Sequence, residues 1–546
     1  MPGNVADTIL AILADRGVKS IYGVSGDAIF PLLDALSRQD RIKYYGTAFE
    51  AGAAFMASYE AKLTGKPGVC VATSGPGVAN LINGLADAYF DRAPVLAITG
   101  QVGTRVLGTN AKQYFNQQQL VKTFARKSDL VVNPEAVIPL LLSALETAAQ
   151  EKTVVHLSVP EDVFQMPAPD ARWPRVDGQS TTMDDNLDDN LDGNLNANST
   201  GDLAASLDQT ASQLNNAQRP LLIVGRRNQG IGKSSIALAE KIGAGIVIAQ
   251  QAKGVLPDDH PLVLGGIGEA YAPKALAKAD TLLLIGDASF EWDFLPKNAP
   301  LIQLVDTPDL LAHGRIDRSV IGNLHQLLKL LLEKAAPRKN QSWLDEIALE
   351  KKALDQQLSV DAQNNQTPIH PARLIAALSK TVAKNAIISS DIGGFMHWFD
   401  RGFRAREQTL LISSHWRSMG SGIPAAISAK IACPEKQALA LIGDGGFLMS
   451  MGELLTAVKY RLPIAVVVAN NHQYGLEKHK MQARGMTSVG NDILAPDFSA
   501  FANASGAKGF RVEKPEQLED TLNTALNCGE PAVVDAQLAD IPLPNL

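Results

Sequence analysis

Cysteine is scarce in this chain: Cys70, Cys433 and Cys528 are the only three among 546 residues. Three scattered thiols build neither a disulfide framework nor a zinc site, both of which need clustered or paired spacing. Positive charge is not in excess either. Fifty Lys and Arg against 57 Asp and Glu leave a net charge of −7, which argues against nonspecific nucleic-acid binding. No uninterrupted run of about 18 apolar residues occurs, so no membrane span is expected. The opening Met-Pro-Gly-Asn-Val-Ala-Asp has neither the basic nor the apolar stretch of a signal peptide, so a cytoplasmic protein is expected. What is present is apolar material: 46% of residues are hydrophobic, too much for a disordered or collagen-like chain. At about 150 residues per domain, the length suggests three or four domains.

Short apolar runs at 20–24, 68–73, 94–98 and 154–159 alternate with helical patterns. Runs without in/out alternation, separated by helices, imply a parallel sheet covered on both faces. The same reading returns at 220–224, 245–249, 281–285 and 301–305, and again at 386–390, 438–442, 464–468 and 532–535. The expected fold is α/β, with three tandem doubly wound parallel-sheet domains at 1–175, 217–335 and 367–546. Between them lie a linker at 176–216 and a charged, helix-prone connector at 336–366. The linker contains an acidic, amide-rich four-residue repeat at 184–195. Its Asp and Asn oxygens suit calcium but lack the alternating ligands and closing glutamate of an EF-hand, so it reads as solvated linker.

The most informative stretch is Ile442-Gly443-Asp444-Gly445-Gly446-Phe447, followed by Ala469-Asn470-Asn471. A strand ends at Asp444, two glycines turn the chain, a helix occupies 448–460, and the next strand delivers Asn471. The separation, 471 − 444 = 27 residues, fits a right-handed β-α-β crossover that returns both side chains to one carboxyl edge. One carboxylate, one amide oxygen, a backbone carbonyl and phosphate oxygens together suit octahedral Mg²⁺. Glycines at a helix start expose N–H groups to a phosphate. The alternative for these residues is a Gly-rich turn with Asp as its cap.

Gly443-Asp444-Gly445 with Asn470-Asn471 resembles the diphosphate-binding motif of thiamine diphosphate enzymes. Ser418-Met419-Gly420-Ser421-Gly422 resembles the segment that carries a large apolar residue beneath the cofactor, here Met419. In Ala48-Phe49-Glu50, Glu50 stands where the family places the carboxylate that activates the pyrimidine ring, although the family's usual Arg-His precedes it there. Thr73-Ser74-Gly75-Pro76-Gly77-Val78-Ala79-Asn80 resembles the family's Gly-Pro-Gly turn. Its Gly75-x-Gly77-x-x-Asn80 lacks the third glycine of a nicotinamide fingerprint, which disfavours a dehydrogenase.

The resemblance spans nearly the whole chain and is nearest to pyruvate oxidases, with acetolactate synthases close by. It implies pyrimidine-binding, central and diphosphate-binding domains in that order. Asp444, Asn471 and the Gln473 carbonyl would be Mg²⁺ ligands. Thr73, Gly75, Gly77, Asn80, Gly393, Met419, Gly443, Gly445, Gly446, Asn471 and Tyr474 would join Glu50 in binding thiamine diphosphate. Asp27, Lys112, Gln113 and Glu477 would contact a small 2-oxo acid. Glu477 matches a catalytic acid of non-oxidative decarboxylases, where pyruvate oxidases usually carry an apolar residue. Gly225, Lys253, Gly254 and Asp306 fall at FAD-binding positions. A Walker A reading of Gly230-Ile231-Gly232-Lys233-Ser234 fails because Arg227 stands in place of its first glycine.

The implied activity is decarboxylation of pyruvate or a similar acid, with electrons passed to FAD. The alternatives are acetolactate synthase-type carboligation, a non-oxidative decarboxylase or acyl transferase using Glu477, and a non-catalytic protein on the same scaffold. The family's site lies between chains, which implies a homodimer or homotetramer. The sequence stops at Pro542-Leu543-Pro544-Asn545-Leu546 without a lipid-binding tail, so no membrane partner is expected.

Overall fold

The computed structural model describes residues 3–169, 173–174, 200–225, 230–268, 271–312, 314–338 and 340–542. The acidic repeat at 184–195 and Arg227 lie outside the described residues. Eighteen described strands form three six-stranded sheets. The first holds β1 Ser20–Gly23, β2 Lys43–Gly46, β3 Gly68–Ala72, β4 Val95–Gln101, β5 Lys127–Leu130 and β6 Val154–Pro160. The second holds β7 Pro220–Val224, β8 Gly245–Ala249, β9 Val263–Ile267, β10 Thr281–Ile285, β11 Leu301–Val305 and β12 Arg318–Ile321. The third holds β13 Ile387–Ser390, β14 Thr409–Ile412, β15 Ala438–Gly443, β16 Ile464–Asn470, β17 Lys508–Val512 and β18 Ala532–Gln537. Every pairing is parallel. The expected α/β class, with three doubly wound sheets, is what the chain adopts.

The outer two sheets follow one path, β2-β1-β3-β4-β6-β5 and β14-β13-β15-β16-β18-β17. The central sheet, β9-β8-β7-β10-β11-β12, has the third-second-first-fourth-fifth-sixth order of dinucleotide-binding folds. Its strands show why the apolar runs are unbroken. Leu222 and Val224 of β7 enter one core, whereas Leu221 and Ile223 enter the core on the other face.

Two stretches read as connectors belong to the central core. Helix Thr200–Asn216 buries Leu207, Ala211 and Leu214, whose helical spacing is hidden among polar neighbours. Helix Gln341–Ala362 buries Trp343 and Ile347, and the Trp343 indole donates to the Pro220 carbonyl at 3.0 Å.

Small residues bring the outer sheets together. Helix Glu50–Thr64 packs against helix Gly422–Ala432, and Ala53, Ala54 and Ala57 share one core with Ile423, Ala426 and Phe447. A Cβ on Gly84 would lie 2.5 Å from that of Ala54, so glycine sets the spacing of helix Pro76–Phe90 from Glu50–Thr64. Among the described residues no helix is long and apolar enough to cross a membrane.

Candidate functional site

The carboxyl edge of the third sheet builds one half of the site. β15 passes directly into helix Asp444–Ser450, so Gly445 and Gly446 lie in its first turn rather than in a separate turn. The helix expected at 448–460 is two helices, broken before Glu453–Lys459. Asp444 is buried; its Oδ1 accepts from the Gly445 N–H at 2.8 Å and its Oδ2 from that of Gln473 at 3.1 Å. Burial pushes the Asp444 carboxyl up to about 6, against these donors. A carboxylate so poor in solvent is one that a cation would stabilise.

The Asn-Asn pair divides its work. Asn470, fully buried, donates to Asp535 Oδ1 at 2.9 Å, while Asn471 lines the cavity. His472, at φ +58°, turns the chain so that Gln473 returns to Asp444.

The cavity is lined by Gly393, Met419, Gly443, Asp444, Gly445, Gly446, Asn471, Gln473, Tyr474 and Glu477, among others. Helices Gly394–Gly402, Asp444–Ser450 and Gly475–Ala483 all begin on it, and their dipoles favour an anion there. A Cβ on Gly445 would lie 2.3 Å from Tyr474 Cε1, so only glycine lets that ring close over the helix start. The donor set of one carboxylate, one amide and one carbonyl fits a magnesium diphosphate, because phosphate oxygens must complete the octahedron.

Seven expected residues assemble separately in the first domain. Glu50 opens helix Glu50–Thr64 and is buried, and its Oε2 accepts from Asn80 Nδ2 at 3.0 Å. Thr73 Oγ1 donates to Asp27 Oδ1 at 3.2 Å. A Cβ on Gly77 would lie 3.1 Å from Thr73 Cγ2 and 3.4 Å from Glu50 Oε1. Gln113, at φ +64°, packs on Gly75, where a Cβ would approach Gln113 Cβ to 2.9 Å. Lys112 beside it is exposed. Every residue lining the third-sheet cavity comes from Pro371 onward, so the two half-sites do not meet in that cavity.

Around the central sheet, the expected residues divide. Gly225 follows β7 and packs on the Asp287 carbonyl, at the switch point between β7 and β10. Asp306 follows β11 and lines a cleft of about 700 Å³ together with Asp287 and Lys62. Lys253 is buried and does not line this cleft; its ammonium donates to Asp258 Oδ1 and to the Asp400 carbonyl, both at 3.0 Å. Gly254, at φ +89°, abuts the Gln408 carbonyl.

Two carboxylates were not anticipated. Asp391, at the end of β13, accepts from Ile392 and Gly420 N–H groups at 2.8 Å each and so fixes the segment after Met419. Its only sequence signal is an apolar strand ending in Asp, as at Asp444. Glu453 accepts from Phe49 at 3.1 Å and from Ala48 at 3.3 Å, so a third-domain carboxylate fastens the start of the Glu50 helix. No local spacing marks it.

Burial drives Glu60, Asp391 and Asp400 each up to about 7. Unfolded carboxyls titrate near 4, so between about pH 4 and 7 the folded state binds more protons and stability falls as pH rises. Buried His156, lowered to about 3, and His370, lowered by partial burial, act oppositely below about pH 6.5, but they are outnumbered by these carboxyls together with Asp444. The cofactor-free protein is therefore expected to unfold at lower urea at pH 8 than at pH 5.5. A midpoint that rises with pH would contradict this balance.

Three doubly wound sheets, with a buried carboxylate and three helix starts gathered around one cavity at a carboxyl edge, define an α/β protein suited to an anionic ligand. Family models agree on which: the thiamine pyrophosphate enzyme N-terminal TPP binding domain matches residues 3–120, the central domain 207–331 and the C-terminal TPP binding domain 391–536. The chain belongs to the thiamine pyrophosphate (thiamine diphosphate) enzymes, in the group of pyruvate oxidases and acetolactate synthases. It is 33% identical to a Bacillus subtilis protein provisionally described as thiamine pyrophosphate-containing protein YdaP, over 97% of this chain and 91% of that one. It is 30% identical to the pyruvate oxidase of Lactiplantibacillus plantarum, over 98% and 89%. It is 28% identical to the acetolactate synthase isozyme 2 large subunit of Escherichia coli, over 98% and 96%.

Proposed function

We propose that this protein decarboxylates pyruvate or a similarly short 2-oxo acid with thiamine diphosphate and Mg²⁺, and passes the electrons to FAD. The observation that carries this reading is the third-sheet cavity, where Asp444, Asn471, Gln473 and Met419 meet at three helix starts. Thiamine diphosphate, when bound, supplies the electron sink that lets a 2-oxo acid lose CO₂. Asp444 Oδ, the Asn471 side-chain oxygen and the Gln473 carbonyl would hold Mg²⁺, and the glycine N–H groups would hold the diphosphate. Met419 would keep the cofactor's two rings folded together, and Glu50 would hold the proton at the pyrimidine nitrogen. Gln113, Lys112 and Asp27 would face the substrate.

The first and third domains would thus bind opposite ends of one cofactor, and the second copy of the chain needed to join them makes the protein a homo-oligomer. The central sheet's strand order, with Gly225 and Asp306 at its edge, supports FAD. A cytoplasmic location belongs to the same reading.

Calorimetry tests the core of this proposal: uptake of thiamine diphosphate that requires Mg²⁺ is expected, and its absence would end the reading. The visible spectrum of the purified protein tests FAD, through flavin bands near about 450 nm.

Glu477 supports a second reading, because it lines the same cavity as Asp444 and Asn471 and would offer a carboxyl to the reacting centre. In that case the chain would protonate the product instead of oxidising it. Glu477→Gln would then lower aldehyde yield from pyruvate by about 10²-fold or more. No aldehyde from the wild type, or an unchanged yield in the variant, would remove this branch. Acetolactate formed from pyruvate would instead mark carboligation.

A further inference from the structure

Of the four consecutive residues leading into Met419, three are tied to helix Pro76–Phe90 or its cap Asp91, and Arg417 reaches Gln250 of the central domain. The backbone N–H of His415 donates to Asp91 Oδ1 at 3.0 Å, and its ring lies 3.3 Å from Asp91 and 3.8 Å from Asp287. The Trp416 indole donates to Asn83 Oδ1 at 2.8 Å and stacks on Phe90 with centroids 5.1 Å apart. The Arg417 guanidinium donates to Gln250 Oε1 at 3.1 Å. Ser418 Oγ accepts from Asn83 Nδ2 at 2.9 Å. Asp91, Asn83 and Phe90 follow the first sheet's strands, whereas Gln250 and Asp287 follow those of the central sheet.

Arg417 also adopts φ +57°, a left-handed conformation that a non-glycine residue keeps only when its surroundings impose it. On the far side of Met419, the Gly420 N–H is held by Asp391 Oδ2 at 2.8 Å. Met419 therefore hangs between two anchors, one in its own domain and one reaching the central domain.

We propose that Arg417 is a positioning residue: its bond to Gln250 sets the backbone angle at which Met419 enters the cavity. The geometry imposed on the cofactor in the third domain then depends on a contact with the central domain. The inference rests on Met419 being the support of thiamine diphosphate. A φ change at Arg417 would swing the following peptide and tilt that support, while Asp444 and Asn471 stay fixed at the ends of their own strands, β15 and β16.

The test separates binding from activation. Arg417→Ala, and independently Gln250→Ala, are expected to take up thiamine diphosphate and Mg²⁺ with affinity within about threefold of the wild type. Exchange of the bound cofactor's C2 proton, followed by NMR after rapid quench, is expected to slow by about ten- to a hundredfold. Arg417→Lys should recover most of the rate. Met419→Ala alone should slow exchange similarly, and Arg417→Ala combined with it should add little, because both act through one side chain. Unchanged exchange in both single variants that melt like the wild type, or fully additive losses in the double variant, would overturn the proposal. A wild type that takes up no cofactor would instead overturn the reading beneath it.

Discussion

Glu50→Gln is expected to bind thiamine diphosphate almost normally and to exchange its C2 proton about 10²–10⁴-fold more slowly, with turnover falling in parallel. The substitution keeps the side chain's shape and an oxygen to accept from Asn80 Nδ2, so the start of the helix should stay in place. On the proposed role, it would remove only the carboxylate's ability to hold a proton at the pyrimidine nitrogen. Glu50 is 9% exposed, so water is poorly placed to substitute for it. Glu453 holds the preceding N–H groups of Ala48 and Phe49 in either form. Calorimetry and proton exchange on one preparation decide the matter: wild-type exchange in the variant would remove Glu50 from activation. Lost binding with a normal melting curve would mean that the carboxylate serves binding instead.

Mixing two inactive variants should restore activity. Asp444→Ala would remove a ligand of the proposed Mg²⁺, and its loss should exceed the roughly 10–100-fold cost of removing an outer-sphere partner. Glu50→Gln disables the other half-site. If each active centre takes its first-domain half from one chain and its third-domain half from another, a mixed dimer holds one doubly damaged centre and one intact centre. Random re-association of equal amounts then yields about a quarter of wild-type activity. The motivation is geometric: the cavity holding Asp444 is lined only by residues from Pro371 onward, whereas Glu50 lies among first-domain residues. Mixtures that stay inactive after verified subunit exchange would mean that each centre is completed within one chain.

The strands that could be read beforehand share one property. Each of the twelve lies inside its sheet, buried on both faces, and is therefore a continuous apolar run. The six that went unread, β2, β5, β9, β12, β14 and β17, are the six sheet edges. β2 Lys-Tyr-Tyr-Gly, β5 Lys-Ser-Asp-Leu, β12 Arg-Ser-Val-Ile and β17 Lys-Gly-Phe-Arg-Val carry the charges that edge strands use against further pairing. β9 is interrupted by two glycines, and β14 has only four residues. An edge strand is a strand because a neighbour offers it a ladder, which local composition does not reveal.

The carboxyl-edge motif was legible for the opposite reason. Asp444, Asn471 and Gln473 are spaced by a single crossover, so their meeting follows from local chain geometry. By itself, then, the sequence determined the α/β class, the inner strands and the meeting of Asp444, Asn471 and Gln473 at one carboxyl edge. Tertiary structure alone decided the edges, the burial of helices within apparent linkers, and the contacts of Asp391 and Glu453. It also decided that Glu50 does not line the cavity that holds Asp444. These outcomes depend on groups brought together from distant parts of the chain, about four hundred residues apart for Glu453 and Phe49, and the worth of a buried carboxylate is set by the donors packed around it rather than by its neighbours in sequence.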